Sequence, residues 1–131
     1  MRKATYRVPR ASGDKEDGEL AVFYFGPGQG GTVEANVQRW IAQFAGVPSG
    51  GVKRADRSAH GLRQHTVEIE KGSFSSGMPG GPTKVKDDFG LLGGIVESPS
   101  GPYFFKLTGP SATVKASRET FLKLLDSVKA I

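Results

Sequence analysis

The sequence predicts a single α+β domain, an antiparallel β-sheet packed by two amphipathic helices. Three observations predict it. Runs rich in aromatic and β-branched residues, bounded by turn-forming residues, read as strands at ATYRVP, ELAVFYFG, RQHTVEIEKG, FGLLGGIVES and PYFFKLTG. Apolar residues recur at helical spacing in two places, through Val33, Val37, Trp40, Ile41 and Phe44 and again through Phe121, Leu124, Leu125 and Val128. The order strands, helix, strands, helix segregates hairpins from helices, which is the α+β arrangement and not the alternation of a parallel sheet. At 131 residues the chain has the length of one domain, spanning 1–131, and can bury roughly two-thirds of its unfolded surface.

Each element follows from its own residues. ATYRVP and ELAVFYFG are separated by the polar RASGDKEDG and form a hairpin. Leu20, Val22 and Tyr24 alternate with Ala21, Phe23 and Phe25, so both faces of the second strand are apolar and both need a cover. The helix over 32–45 supplies one, with Thr32 as N-cap, Glu34 at the positive end of its dipole, and Gly46 and Pro48 as the stop. SGGVKRADRSAHG reads as a loop. In the strand that follows, Val67 and Ile69 face one way and Thr66, Glu68 and Glu70 the other. Residues 72–88, GSFSSGMPGGPTKVKDD, are Gly-, Ser- and Pro-rich and predict a long, mobile loop. FGLLGGIVES and PYFFKLTG make a second hairpin about the turn PSGP, and the last helix begins near Ser117.

Composition narrows the partners. Eighteen Lys and Arg against thirteen Asp and Glu leave +5, which permits attraction to anionic membranes, nucleic acid or acidic proteins. The basic residues are split between Arg2, Lys3, Arg7 and Arg10 at one end and Lys53, Arg54, Arg57 and Arg63 elsewhere, which argues against nucleic acid. With no cysteine there is no disulfide and no thiolate metal site. No apolar run approaches the roughly 18 to 20 residues of a membrane span.

The candidate site is the segment FGPGQGGTVEANVQRW, a strand, a glycine-rich loop and a helix, the context in which backbone N–H groups hold an anion. It lacks the Lys-Ser/Thr of a Walker loop, and the Gly26, Gly28, Gly31 spacing comes without a parallel βαβ unit, so a nucleotide is not predicted and no cofactor is implied. What remains is a ligand or partner site built from Gly28, Gln29, Gly30, Gly31, Asn36 and Arg39, the last two placed beside the loop to meet a carboxylate or phosphate. His60 and His65 stand five apart and do not share a face as metal ligands would, even with Asp56 near. Ser73, Ser75 and Ser76 have no assigned base, and Glu68 and Glu70 fit a solvated sheet face, so no catalytic residue is read. Lys106 interrupts YFFKLTG and reads as a lysine emerging at a sheet face or edge as a guard against aggregation, with membership of a site as the alternative.

At VFYFGPGQGGTVEANVQRWIAQF and YFFKLTGPSATV the sequence resembles a family of uncharacterised bacterial proteins, many of them exported proteins or lipoproteins. The resemblance covers most of the chain. It implies an exported, periplasmic or lipid-anchored protein if a leader segment precedes Met1, and a cytoplasmic one if Met1 is the native start. More distantly, the closing order of hairpin, KLTGP and helix is similar to the PsbP-like superfamily, which includes photosystem II extrinsic proteins and a nuclear-transport factor that binds a small GTPase. That resemblance implies a sandwich of sheet and helices and a binding or assembly role. Neither oxygen evolution nor GTPase binding carries over, because the photosystem motifs are not evident. The sequence thus predicts a non-enzymatic accessory or binding domain of the bacterial envelope, with an unknown protein or anionic ligand as partner. The alternatives are an enzyme acting on an anionic substrate and a basic domain on anionic surfaces.

Overall fold

A computed structural model of the chain describes residues 2–24, 26, 30–76 and 84–128. Its seven strands pair antiparallel in one sheet: β1 (Arg2–Val8), β2 (Gly18–Tyr24), β3 (Phe44–Ala45), β4 (Val52–Ala59), β5 (Leu62–Ser76), β6 (Lys84–Val96) and β7 (Tyr103–Pro110). The spatial order is β1-β2-β7-β6-β5-β3, and β4 also pairs with β5. The helices are short: α1 (Val33–Ala42), α2 (Ser111–Ala116) and α3 (Arg118–Asp126) have ten, six and nine residues.

The sheet therefore dominates, and the expectation of a sheet packed by two amphipathic helices is corrected. The last helix starts where expected, at Arg118 after Ser117, but a separate short helix, α2, precedes it, and α1 ends at Ala42, where Phe44 and Ala45 join the sheet beside Phe74 and Ser73. SGGVKRADRSAHG contains a strand: β4 pairs residue for residue with the first half of β5, from Val52 opposite Ile69 to Ala59 opposite Leu62. Its side chains are mostly exposed, because an outer strand needs no apolar alternation. Ala59 and Leu62 are joined by His60 and Gly61, both at positive φ (53° and 76°), which is the two-residue turn that suits the twist of a hairpin. The long loop expected at 72–88 is strand at both ends, since β5 runs to Ser76 and β6 starts at Lys84. Cross-strand backbone bonds hold these polar residues extended, and the middle of the segment lies outside the described residues.

Alternation along the strands divides the core into two layers. On the α1 side, Val37 and Trp40 meet Val67, Ile69, Leu91, Ile95 and Phe104, with Phe44, Phe74 and Phe89 towards one end. On the other side, Val114, Phe121 and Leu125 of α2 and α3 meet Leu62, Leu92, Val96, Phe105 and Leu107. The consecutive glycines of β6 serve one side each. A Cβ at Gly93 would lie 2.7 Å from the Trp40 ring, and one at Gly94 would lie 2.7 Å from the Leu125 side chain. Helices settle this closely onto both faces only because no side chain intervenes.

Register orders the α1 face into rows. Phe23, Phe104, Ile95 and His65 form one; Ala21, Lys106, Gly93 and Val67 the next; Glu19, Thr108, Leu91 and Ile69 a third. Trp40 sits over Gly93, so α1 covers the β5 and β6 columns. The β2 and β7 columns of the lower rows lie beyond it.

Candidate functional site

The described end of the glycine segment, Gly30 and Gly31, leads into α1. Gly30 and Gly31 have φ of 86° and 84°, a conformation that suits glycine. Thr32 caps α1 by accepting the Ala35 N–H at 3.0 Å. Asn36 is buried, and its amide donates to the carbonyls of Gly30 and Thr32, each at 2.8 Å. Its Oδ1 accepts Arg39 Nη1 at 3.2 Å. Asn36 thus fastens the loop to the helix, and Arg39, exposed on the surface, holds Asn36 in turn. Gly28 and Gln29 lie outside the described residues.

A different cleft opens on the same face, past the C-terminal end of α1. It has a volume of about 320 Å³ and is bounded by Ala21, Glu19 and Phe23 of β2, Lys106 and Thr108 of β7, Gln43 after α1, Phe74 of β5, Lys86 and Phe89 of β6, and Glu16 and Asp17 of the β1–β2 loop. Its centre is Lys106. Of the two places expected for this lysine, a sheet face or an edge, the edge is corrected: β7 lies between β2 and β6 in the interior of the sheet, so Lys106 emerges on a face. The half-buried ammonium group donates to Gln43 Oε1 and lies 5.6 Å from the centre of the Phe74 ring. Its neighbours in the row are Ala21 and Gly93, the two smallest side chains available, which leave space beside its stem.

Lys86 repeats the arrangement at the far wall. It pairs with Glu16 at 2.5 Å and stands 5.5 Å over the Phe89 ring. Phe74 and Phe89 are stacked, 5.9 Å between centres and 7° between planes, so two cations rest on one aromatic floor. The β1–β2 loop that brings Glu16 is itself anchored: Thr113 Oγ1 accepts the Ala11 N–H at 2.9 Å and donates to Asp14. Asp17 accepts the Arg10 N–H and the Arg7 guanidinium, both at 2.9 Å, and these bonds hold its carboxyl below the usual carboxylate range. The sequence reading missed Glu16, Glu19, Gln43, Lys86 and Thr108. The signal present was the cation in an apolar strand, Lys106.

The remaining candidates separate from this cleft. His65 bonds Asp56 through Nδ1 at 2.9 Å and Glu97 through Nε2 at 2.8 Å. The two carboxylates lie on opposite sides of the ring, and among the described residues no three His, Asp or Glu side chains are grouped to hold a metal ion. Glu68 takes Arg118 through two bonds, 2.7 and 3.1 Å, and Glu70 lies 3.8 Å from Lys115, so both face the α2–α3 layer. Ser73 donates to Asp87 at 2.8 Å. Among the described residues no helix is long and apolar enough to cross a membrane.

Fold and site together define a sheet-dominated α+β domain with a small charged cleft on one face. No family model matches the chain, and no curated protein matches it. Among solved structures it is similar to PA94 of Pseudomonas aeruginosa, a protein of unknown function and a candidate regulator, with a TM-score of 0.60 over 98% of this chain and 82% of that one. At 12% identity the likeness is one of fold alone.

Proposed function

We propose that the protein is a non-catalytic binding domain that takes an anionic group of a small ligand in the cleft at Lys106. The single observation that carries the reading is a lysine on an interior strand. Its ammonium group donates to the Gln43 amide and rests over the Phe74 ring, in a cleft open to an incoming group. An incoming carboxylate accepts a charge-assisted hydrogen bond from this lysine, with the Thr108 hydroxyl at hand as a further donor. The cleft lies at the lower end of the volumes typical of small-molecule sites, roughly 300 to 1,000 Å³.

The test is a titration of the 15N-labelled protein with benzoate, followed through its amide resonances. Saturable shifts concentrated at Ala21, Gly93 and Thr108, and lost in Lys106→Met, are the expected result. Shifts that track Arg39 and Gly31 instead, and survive Lys106→Met, would move the site to the glycine loop.

A further inference from the structure

The layer built by α2 and α3 encloses a second pocket, of about 230 Å³, on the face of the sheet opposite Lys106. Leu92 of β6 and Val114 of α2 belong to that layer and give the pocket an apolar lining. Val114 lies close to the sheet because β6 carries a glycine beneath it: a Cβ at Gly90 would be 3.2 Å from the Val114 side chain. Gly50 and Gly51 close one side with bare backbone. They belong to a tight turn, in which Gly51 N–H donates to the Pro48 carbonyl at 2.8 Å and Gly50 takes a φ of 76°.

The charges around this pocket do not cancel. Lys53, Lys115 and Arg118 stand against Glu68 and Glu70, which leaves one net positive charge. Arg118 engages both oxygens of Glu68, and Lys115 lies 3.8 Å from Glu70. Lys53 stands opposite Glu68 across the β4–β5 ladder, yet among the described residues it has no hydrogen-bond or ion-pair partner. The surplus charge therefore sits on a lysine at the mouth of an apolar pocket. A monoanion balances it, whereas a dianion such as phosphate brings excess charge against Glu68 and Glu70. The volume is below the roughly 300 to 1,000 Å³ of sites for drug-sized ligands, which limits the occupant to a chain of a few carbons.

We infer that this pocket binds a short aliphatic monocarboxylate, its carboxylate at Lys53 and its alkyl chain against Leu92 and Val114. The site is separate from the Lys106 cleft and does not depend on it. The experiment is titration of the 15N-labelled whole chain with acetate, hexanoate and 1-hexanol, repeated in Lys53→Met and Lys106→Met. Hexanoate is expected to give saturable shifts at Gly51, Leu92 and Val114, and to bind at least about tenfold more tightly than acetate because its longer chain is buried. Lys53→Met weakens hexanoate by about fivefold or more through loss of the charged donor, and Lys106→Met leaves it unchanged. Lys53 is exposed on an outer strand, so its variant keeps the amide spectrum of the folded protein. Equal binding of acetate and hexanoate, or of 1-hexanol and hexanoate, would overturn the inference. So would hexanoate shifts that survive Lys53→Met and vanish in Lys106→Met, or no saturable shift at all.

Discussion

Each ring nitrogen of His65 faces a carboxylate, and only the protonated ring can donate to both. Burial of the imidazole lowers its pKa, but the bonds to Glu97 and Asp56 outweigh that penalty and raise it above the ordinary 6.5. The charges around it are fixed in pairs, Arg54 of the same β4 face being held by Glu34 at 3.0 Å, while Arg63 lies exposed on the adjoining strand. A pKa higher in the folded than in the unfolded chain means that the stabilisation is complete below the unfolded value and is lost as pH rises through the folded one. Wild type is therefore expected to exceed His65→Gln in stability at pH 5.5, with the gap narrowing by pH 8.5. Urea unfolding of both proteins at the two pH values checks it, and a gap that does not change with pH would refute the double donation. The pairing was not legible beforehand. His60 and His65 stand five positions apart, and only the β4–β5 turn, with His60 at its positive-φ position, shows that one histidine is a turn residue and the other a bridge.

Among the elements, α1 was the most legible, because its period and its Thr32 cap are local properties. Asn36 was legible only as a polar residue off the stripe, since its role depends on where the glycine loop returns. β4 was hidden by its own composition: VKRADRSA carries charge on an outer strand and offers no alternation to read. The extension of β5 and β6 into 72–88 was hidden likewise, because glycine and serine there are held extended by a partner strand and not by propensity. The packing of α1 on β6 yields a prediction at this scale. A methyl group at Gly93 meets the rigid Trp40 ring at 2.7 Å and the Val67 side chain at 2.8 Å, whereas one at Gly94 meets the end of the flexible Leu125 side chain. Gly93→Ala is expected to cost about 1 to 3 kcal/mol, and Gly94→Ala less. Equal losses in chemical denaturation would mean that α1 shifts as freely as Leu125 does.

At the scale of the whole molecule, the two glycines set a division of labour between the faces. On one, α2 and α3 cap β5–β7, and on the other α1 covers only part of the sheet and leaves Lys106 at the bottom of a charged cleft. The class, an α+β chain built of hairpins, was readable from apolar runs and turns. The dominance of the sheet was not, because strand order depends on pairings that no short stretch encodes. For the same reason Lys106 was visible as an anomaly but could be placed only at a sheet face or an edge. With β2 and β6 on either side of it, it lies on a face, in the lining of the cleft.

The central claim is that Lys106 serves a ligand and not the fold, and the most direct measurement is the stability of Lys106→Met in urea without ligand. Methionine has a similar length and can pack on Phe74, so replacing a lysine kept for binding is expected to leave stability unchanged or raise it by about 0.5 to 2 kcal/mol. A loss of about 2 kcal/mol or more would contradict the account, because it would show that the lysine and its Gln43 bond hold the fold together.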